Sequence, residues 1–160
     1  MFIYSVRASG IKYFLLVVLT LVVLVGSIII SESEATAVFA GEEIDLSGVG
    51  KHEGRVEFIK QFGYEIGEAP VSEEEVNLPT VLDRVGSDYN EIQRRQGLDL
   101  TKYGGKKVTR YTYEVSDYPG HEGEKIYANL IVRKNRIIAG DICSAEPSGF
   151  IHGFERNGDK

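Results

Sequence analysis

Apolar residues recur along this chain in three rhythms, and each rhythm predicts a different element. The first is an unbroken run. Residues 11–30, IKYFLLVVLTLVVLVGSIII, carry no charge after Lys12, and the next charge is Glu32. About 20 mostly apolar residues let a helix cross the hydrocarbon core of a bilayer, where an unpaired charge is costly. The run therefore predicts a transmembrane helix. Arg7 and Lys12 flank its start, while Glu32 and Glu34 follow its end. The positive-inside bias then places residues 1–10 in the cytoplasm and the chain beyond residue 30 outside, as a single-pass protein. A cleaved signal peptide is the competing reading, which would leave a secreted domain. Ala35 and Ala37, or Val38 and Ala40, supply the small residues of a cleavage site. The run exceeds the ~7–15 apolar residues of a signal's central region, which favours an uncleaved anchor. Residues 31–50 are small, acidic and glycine-bearing, the composition of a flexible tether.

The second rhythm is helical. Val56, Ile59 and Phe62 fall at three-residue steps with Phe58 beside them. They predict a short amphipathic helix over 51–62, ended by Gly63 in a left-handed conformation. Tyr64 and Ile66 alternate with Glu65, which predicts a brief extended segment. An acidic connection with two prolines follows and leaves room for an edge strand over 75–78. Leu78, Leu82, Val85, Tyr89 and Ile92 then recur at spacings of 4, 3, 4 and 3, one stripe of a second helix. Pro79 suits its first turn, and Gly97 suits its C-terminal cap, with Leu98 folding back on the last turn.

The third rhythm has period two. In VTRYTYEVSDY, Tyr111, Tyr113 and Val115 share one side, while Arg110, Thr112, Glu114 and Ser116 share the other. That is a half-buried strand. KIYANLIVR and RIIAGDICS flank Lys134-Asn135, which predicts a two-residue hairpin. Its register would set Arg133 against Arg136, Val132 against Ile137, Leu130 against Ala139, Ala128 against Asp141, and Ile126 against Cys143. Phe150, Ile151 and Phe154 would close one end of the core, and residues 155–160 would fray. Together these elements predict an α+β domain over 51–154. Two amphipathic helices would pack on one face of an antiparallel meander of three to four strands.

Charge and composition narrow the function. The chain has 160 residues with 24 Asp and Glu against 18 Lys and Arg, a formal net charge of −6. An acidic domain repels phosphate backbones, so no nucleic-acid partner is expected. A single cysteine makes no internal disulfide, so a core must hold the domain together. There is no glycine-rich phosphate loop after a strand, no Gly-x-Ser-x-Gly elbow and no repeat. His52, His121 and His152 lie far apart without ligand spacing, so no metal or cofactor is expected.

The chemistry that remains is sparse. Cys143 has Asp141 two residues before it and His152 nine residues after it. A cysteine nucleophile needs a base in hydrogen-bond reach and a lowered pKa. The alternative is a small hydrophobe in the core, as free cysteines commonly are. Asp141 stands in an apolar strand, and a buried carboxylate needs partners. Arg110 or loop amides would serve structurally; with Asn129 and Tyr113 it would instead form a ligand or proton site. Tyr103, Tyr118 and Tyr127 are the tyrosines that no apolar stripe claims.

The strings FIKQFGYEI, YNEIQRRQGLDLTKYGGKKVTRYTYEVSDYPG, ANLIVRKNRIIAGDICS and GFIHGF occur in this order. Over about residues 55–154 the chain resembles a bacterial family described only as a domain of unknown function, number 4830. The resemblance implies small bacterial proteins with an N-terminal membrane segment or signal. It implies no activity and no catalytic, cofactor or metal residue. The expectation is a non-catalytic binding, sensing or assembly module of the bacterial envelope. It would be held to the bilayer by residues 11–30 and would contact an envelope protein or peptide. The alternative is a thiol-dependent or hydrolytic enzyme using Cys143 with His152 and Asp141.

Overall fold

The structure is a computed structural model that describes residues 36–39, 42–116 and 118–155, with side chains from residue 44. The cytoplasmic segment 1–10 and the transmembrane helix expected over 11–30 lie outside the described residues, as does the tail beyond Glu155. Among the described residues no helix is long and apolar enough to cross a membrane.

A hairpin of β1 (Thr36–Phe39) and β2 (Glu42–Asp45) comes first. Helix α1 (His52–Lys60) follows, then strand β3 (Ser72–Asn77) and helix α2 (Arg84–Arg95). A short 3-10 turn, Leu100–Tyr103, leads into β4 (Lys107–Val115), β5 (Ile126–Arg133), β6 (Arg136–Ser144) and β7 (Ile151–His152). Strands β3 to β7 form one antiparallel sheet in sequence order. The α+β class and the edge strand before the second helix are thus as the patterns predict. The sheet has five strands, more than the expected three to four, because β3 starts at Ser72 and β7 adds a two-residue pairing.

The hairpin turn is the two-residue loop read from the sequence. Lys134 and Asn135 both have positive φ, 49° and 65°, the signature of a type I′ turn. Arg133 pairs with Arg136 and Val132 with Ile137, as expected. The register then shifts between Ile131 and Val132, and Ile131 pairs with Ala139. Ile138 is the extra residue of a β-bulge. One extra residue turns every later side chain of β6 to the other face. Asp141 therefore opposes Asn129, not Ala128, and Cys143 opposes Tyr127, not Ile126.

The helices lie on opposite faces, which corrects the single covered face. Phe58 and Ile59 of α1 pack with Tyr113, Ala128, Leu130 and Ile142. Tyr89 of α2 packs with Val108, Ile131 and Ala139. The two sets alternate along their strands, so they face opposite ways. The segment expected as a tether also joins the core. Leu46 and Val49 are fully buried, and the Ile137 N–H donates to the Leu46 carbonyl at 2.9 Å. The buried Arg55 fixes this segment by donating from Nη1 to the carbonyls of Val49 and Gly50, each at 3.0 Å. The folded domain thus begins before residue 51.

Helix α2 starts later than its apolar stripe suggests. Asp83 caps it by accepting from the Gly86 N–H at 2.8 Å. Leu78 still belongs to the sheet, donating to the Lys106 carbonyl at 3.0 Å, and residues preceding proline disfavour helix. Its buried positions are Asn90 and Gln93, followed by Gln96. The amides of Gln93 and Gln96 bond the backbone of Gly140 on the outer edge of β6. The Gly140 N–H donates to Gln93 Oε1 at 2.9 Å, and Gln96 Nε2 donates to the Gly140 carbonyl at 2.8 Å. Gln96 Oε1 accepts from the Phe154 N–H at 2.8 Å. These amides act as a missing strand would. Ser47 covers the same edge at Arg136, and β7 covers it at Ile142 and Cys143.

Candidate functional site

The bulge at Ile138 gathers the polar residues of the face under α2 into one row. Thr112, Asn129 and Asp141 stand side by side on β4, β5 and β6. Thr112 Oγ1 donates to Asn129 Oδ1 at 2.8 Å, and Asn129 Nδ2 donates to Asp141 Oδ1 at 2.9 Å. Tyr89 reaches down from α2, and its hydroxyl donates to Asp141 Oδ2 at 2.8 Å. Both carboxylate oxygens are therefore answered by neutral donors. Burial raises the Asp141 pKa, and the bonds from Asn129 and Tyr89 oppose that rise. Burial and then the neighbouring carboxylate push the Tyr89 hydroxyl well above its ordinary range. The row ties α2 to the sheet.

Two expected neighbours of Asp141 are elsewhere. The Arg110 guanidinium bridges to Glu74 at 2.8 Å and favours the charged Asp141 only at longer range. Tyr113 lies on the opposite face, where its hydroxyl accepts from Arg55 Nε at 2.8 Å and sits 3.2 Å from His52 Nδ1.

Cys143 and His152 are not brought together. Cys143 pairs with Ile151, while His152 pairs with Ile142, so their side chains leave opposite faces of the sheet. His152 Nδ1 lies 2.6 Å from the Gly153 carbonyl and donates to it. Its Nε2 is then free to accept from the Tyr118 hydroxyl at 2.8 Å. Burial lowers the His152 pKa and keeps the ring neutral. The thiol is held instead by Asn129, whose Nδ2 lies 3.4 Å from Sγ. Burial, then the Asp141 carboxylate, pushes its pKa to about 11 from an ordinary 9.0. At neutral pH that leaves the thiolate roughly a hundredfold scarcer than in an ordinary cysteine. Labelling of Cys143 by a chromogenic disulfide should therefore be at least ~10-fold slower in the native chain than in denaturant, because the scarcer thiolate is only partly offset by its greater nucleophilicity. Equal rates would show an exposed thiol of ordinary reactivity, and faster labelling of the native chain an activated one.

The other candidates are absorbed locally. His121 Nδ1 meets Glu124 Oε2 at 3.0 Å. Tyr118 stacks on Phe150 at 4.9 Å between ring centres. Tyr103 packs under α2, and Tyr127 is half-buried. No group of three His, Cys, Asp or Glu among the described residues is placed to hold a metal.

The sequence reading missed a set of exposed valines. Five large apolar side chains are exposed among the described residues: Val71 by 56%, Val76 by 36%, Val81 by 81%, Val85 by 74% and Ile151 by 49%. Four of them lie within residues 71–85: Val71 just before β3, Val76 on it, Val81 in its connection to α2 and Val85 in the first turn of α2. A shallow cleft of about 370 Å³ runs beside this stretch, lined by Val81, Leu82, Asn90 and Arg94 among others. The alternating four- and three-residue spacing marked Val85 as core. The better signal was Gln93 and Gln96 at a three-residue step, amides that the backbone of β6 needs; Asn90, in line with them, instead accepts from the Leu100 N–H and donates to Asp99.

Fold and site together define an antiparallel α+β domain with a buried polar row and no assembled catalytic group among the described residues. The chain belongs to the family described as a domain of unknown function, DUF4830, whose model matches residues 58–142. The matched span runs from α1 into β6; it includes Asp141 and stops short of Cys143 and His152. No curated protein and no solved structure matches the chain.

Proposed function

We propose that this chain is a membrane-anchored, extracytoplasmic binding module of the bacterial envelope, with residues 71–85 as its contact surface. The observation that carries the reading is the concentration of exposed valines there. Monomeric domains scatter exposed apolar residues singly, and a local concentration marks an interaction site. The acidic balance of the chain argues against nucleic acid as the partner. The uncharged run 11–30 and the flanking Arg7, Lys12, Glu32 and Glu34 support an anchor with the domain outside. Separation of Cys143 from His152 and the raised thiol pKa support a non-catalytic role over an enzyme built on Cys143, His152 and Asp141.

The test is complementation of a deletion strain. A chain carrying both Val81→Asp and Val85→Asp should keep its thermal midpoint, because exposed substitutions change stability by about 0.5 kcal/mol or less. It should nevertheless fail to complement, while Cys143→Ala complements fully. Failure by Cys143→Ala alone would bring the enzyme forward. A reporter fused after Lys160 that is active only in the cytoplasm would overturn the location.

A further inference from the structure

We propose that the free edge of β3 is a strand-addition site for an extended, basic segment of a partner protein. The proposal rests on reading residues 71–85 as the contact surface and gives that surface a partner class. The two edges of the sheet are treated differently. On β6, Ser47, the Gln93 and Gln96 amides and β7 occupy the outer backbone groups. On β3 the pairing to β4 runs without interruption from Ser72 against Thr112 to Asn77 against Lys107. The Val71 N–H also reaches the Thr112 carbonyl opposite Ser72, at 2.8 Å; past that point no bulge twists this edge away, and its residues beyond Ser72 are exposed. No proline lies within it; Pro70 and Pro79 stand outside it. Natural edges are blunted by such devices or by charge; β3 carries charge alone, three consecutive glutamates, which opposes a like strand and leaves the edge open to a basic one.

The free groups can be named. Backbone bonds of an antiparallel strand alternate between its two sides. The Leu78 N–H donates to the Lys106 carbonyl, so Ser72, Glu74 and Val76 bond toward β4. The N–H and carbonyl groups of Glu73, Glu75 and Asn77 point to the open side. An added strand would take main-chain bonds there, and its side chains would lie beside Val71 and Val76. Its charge is set by β3. Among the described residues two cations bridge to Glu73, Glu74 and Glu75: Arg110 on Glu74 and Lys107 on Glu75. Both bridges are exposed and weakly held. A second copy of β3, paired antiparallel about Glu74, would set glutamate against glutamate across the strands, which is destabilising. A strand with lysine or arginine at alternate positions meets no such penalty and places its cations beside the carboxylates.

The probe is a short labelled peptide alternating lysine and threonine, with a glutamate-for-lysine counterpart and a version N-methylated at alternate residues. The protein is the purified full chain in detergent. The lysine peptide should bind, weaken as salt rises, and slow hydrogen exchange at the amides of Glu73, Glu75 and Asn77. Glu73→Pro removes an outward N–H and spares the ladder to β4, so it should weaken binding about tenfold or more. The N-methylated peptide should not bind, a result independent of how any variant folds. Equal binding of the glutamate or N-methylated peptide, unchanged exchange at those amides, or self-association through β3 would each overturn the proposal. In cells, failure of Val81→Asp with Val85→Asp beside full complementation by Glu73→Pro would leave the contact surface standing and remove strand addition.

Discussion

Gly140→Ala is expected to lower stability by about 3 kcal/mol, the upper end of the usual cost of overpacking a core. A Cβ at this position would point at two obstacles, the ring tip of Phe154 and the Asn129 carbonyl oxygen, which would lie 2.5 Å away. The ring belongs to the central cluster and is fully buried. The carbonyl belongs to β5 where Asn129 pairs with Asp141, so moving it also disturbs the polar row beneath Tyr89. Replacing glycine by alanine ordinarily gains about 0.4–1 kcal/mol by restricting the unfolded chain, too little to offset the clash. The measurement is the urea midpoint of the purified chain, followed by tyrosine near-ultraviolet dichroism. Phe154→Leu added to Gly140→Ala should restore part of the loss, since it clears the ring and leaves the carbonyl. A midpoint unchanged by Gly140→Ala would mean that β6 is not packed this closely against Phe154.

The same glycine shows how far the sequence could be read. The hairpin at Lys134-Asn135 was legible because two residues between β-rich runs leave few turn geometries. The first two pairs followed from it. The bulge at Ile138 was not legible, because RIIAGDICS is apolar on both faces and either register buries a respectable set of residues. That one residue moved Asp141 beside Asn129 and Cys143 beside Tyr127, and with them the whole candidate site. Helix α2 misled for a related reason. An apolar period of 3.6 marks the face of a helix that meets other side chains. Here the helix meets a strand's backbone edge, which asks for amides. The covered edge thus explains why Gln93 and Gln96 are buried while Val85 is exposed. Leu46 and Val49 escaped notice because two apolar residues among glycines and acids carry no period at all.

Gln96 is the residue whose loss should separate α2 from the sheet. Its side-chain amide makes three bonds: Nε2 donates to the Gly140 carbonyl and to Gln93 Oε1, and Oε1 accepts from the Phe154 N–H. Gln96 is buried, and so are Gln93 and Phe154, so water is not there to replace those bonds. Gln96→Leu keeps the volume and strands a backbone carbonyl and a backbone N–H. Each unsatisfied buried group costs about 1–3 kcal/mol, so the variant should lose about 3 kcal/mol in all. Gln96→Glu separates hydrogen bonding from shape. When protonated, its O–H donates to the Gly140 carbonyl and its carbonyl accepts from Phe154, which rebuilds two of the three bonds. When ionised, it sets a buried negative charge against the Gly140 carbonyl and Gln93 Oε1. Burial without a cation raises its folded pKa above the unfolded value. A carboxyl with a raised folded pKa binds more protons folded than unfolded, so stability is greatest in acid and falls as pH rises through the folded pKa. Relative to the wild type measured at each pH, the Glu variant should approach it in mild acid and fall below the Leu variant at neutral pH. Denaturant midpoints across that pH range decide it. A Glu variant whose difference from wild type does not change with pH would place Gln96 in water, and with it the end of α2.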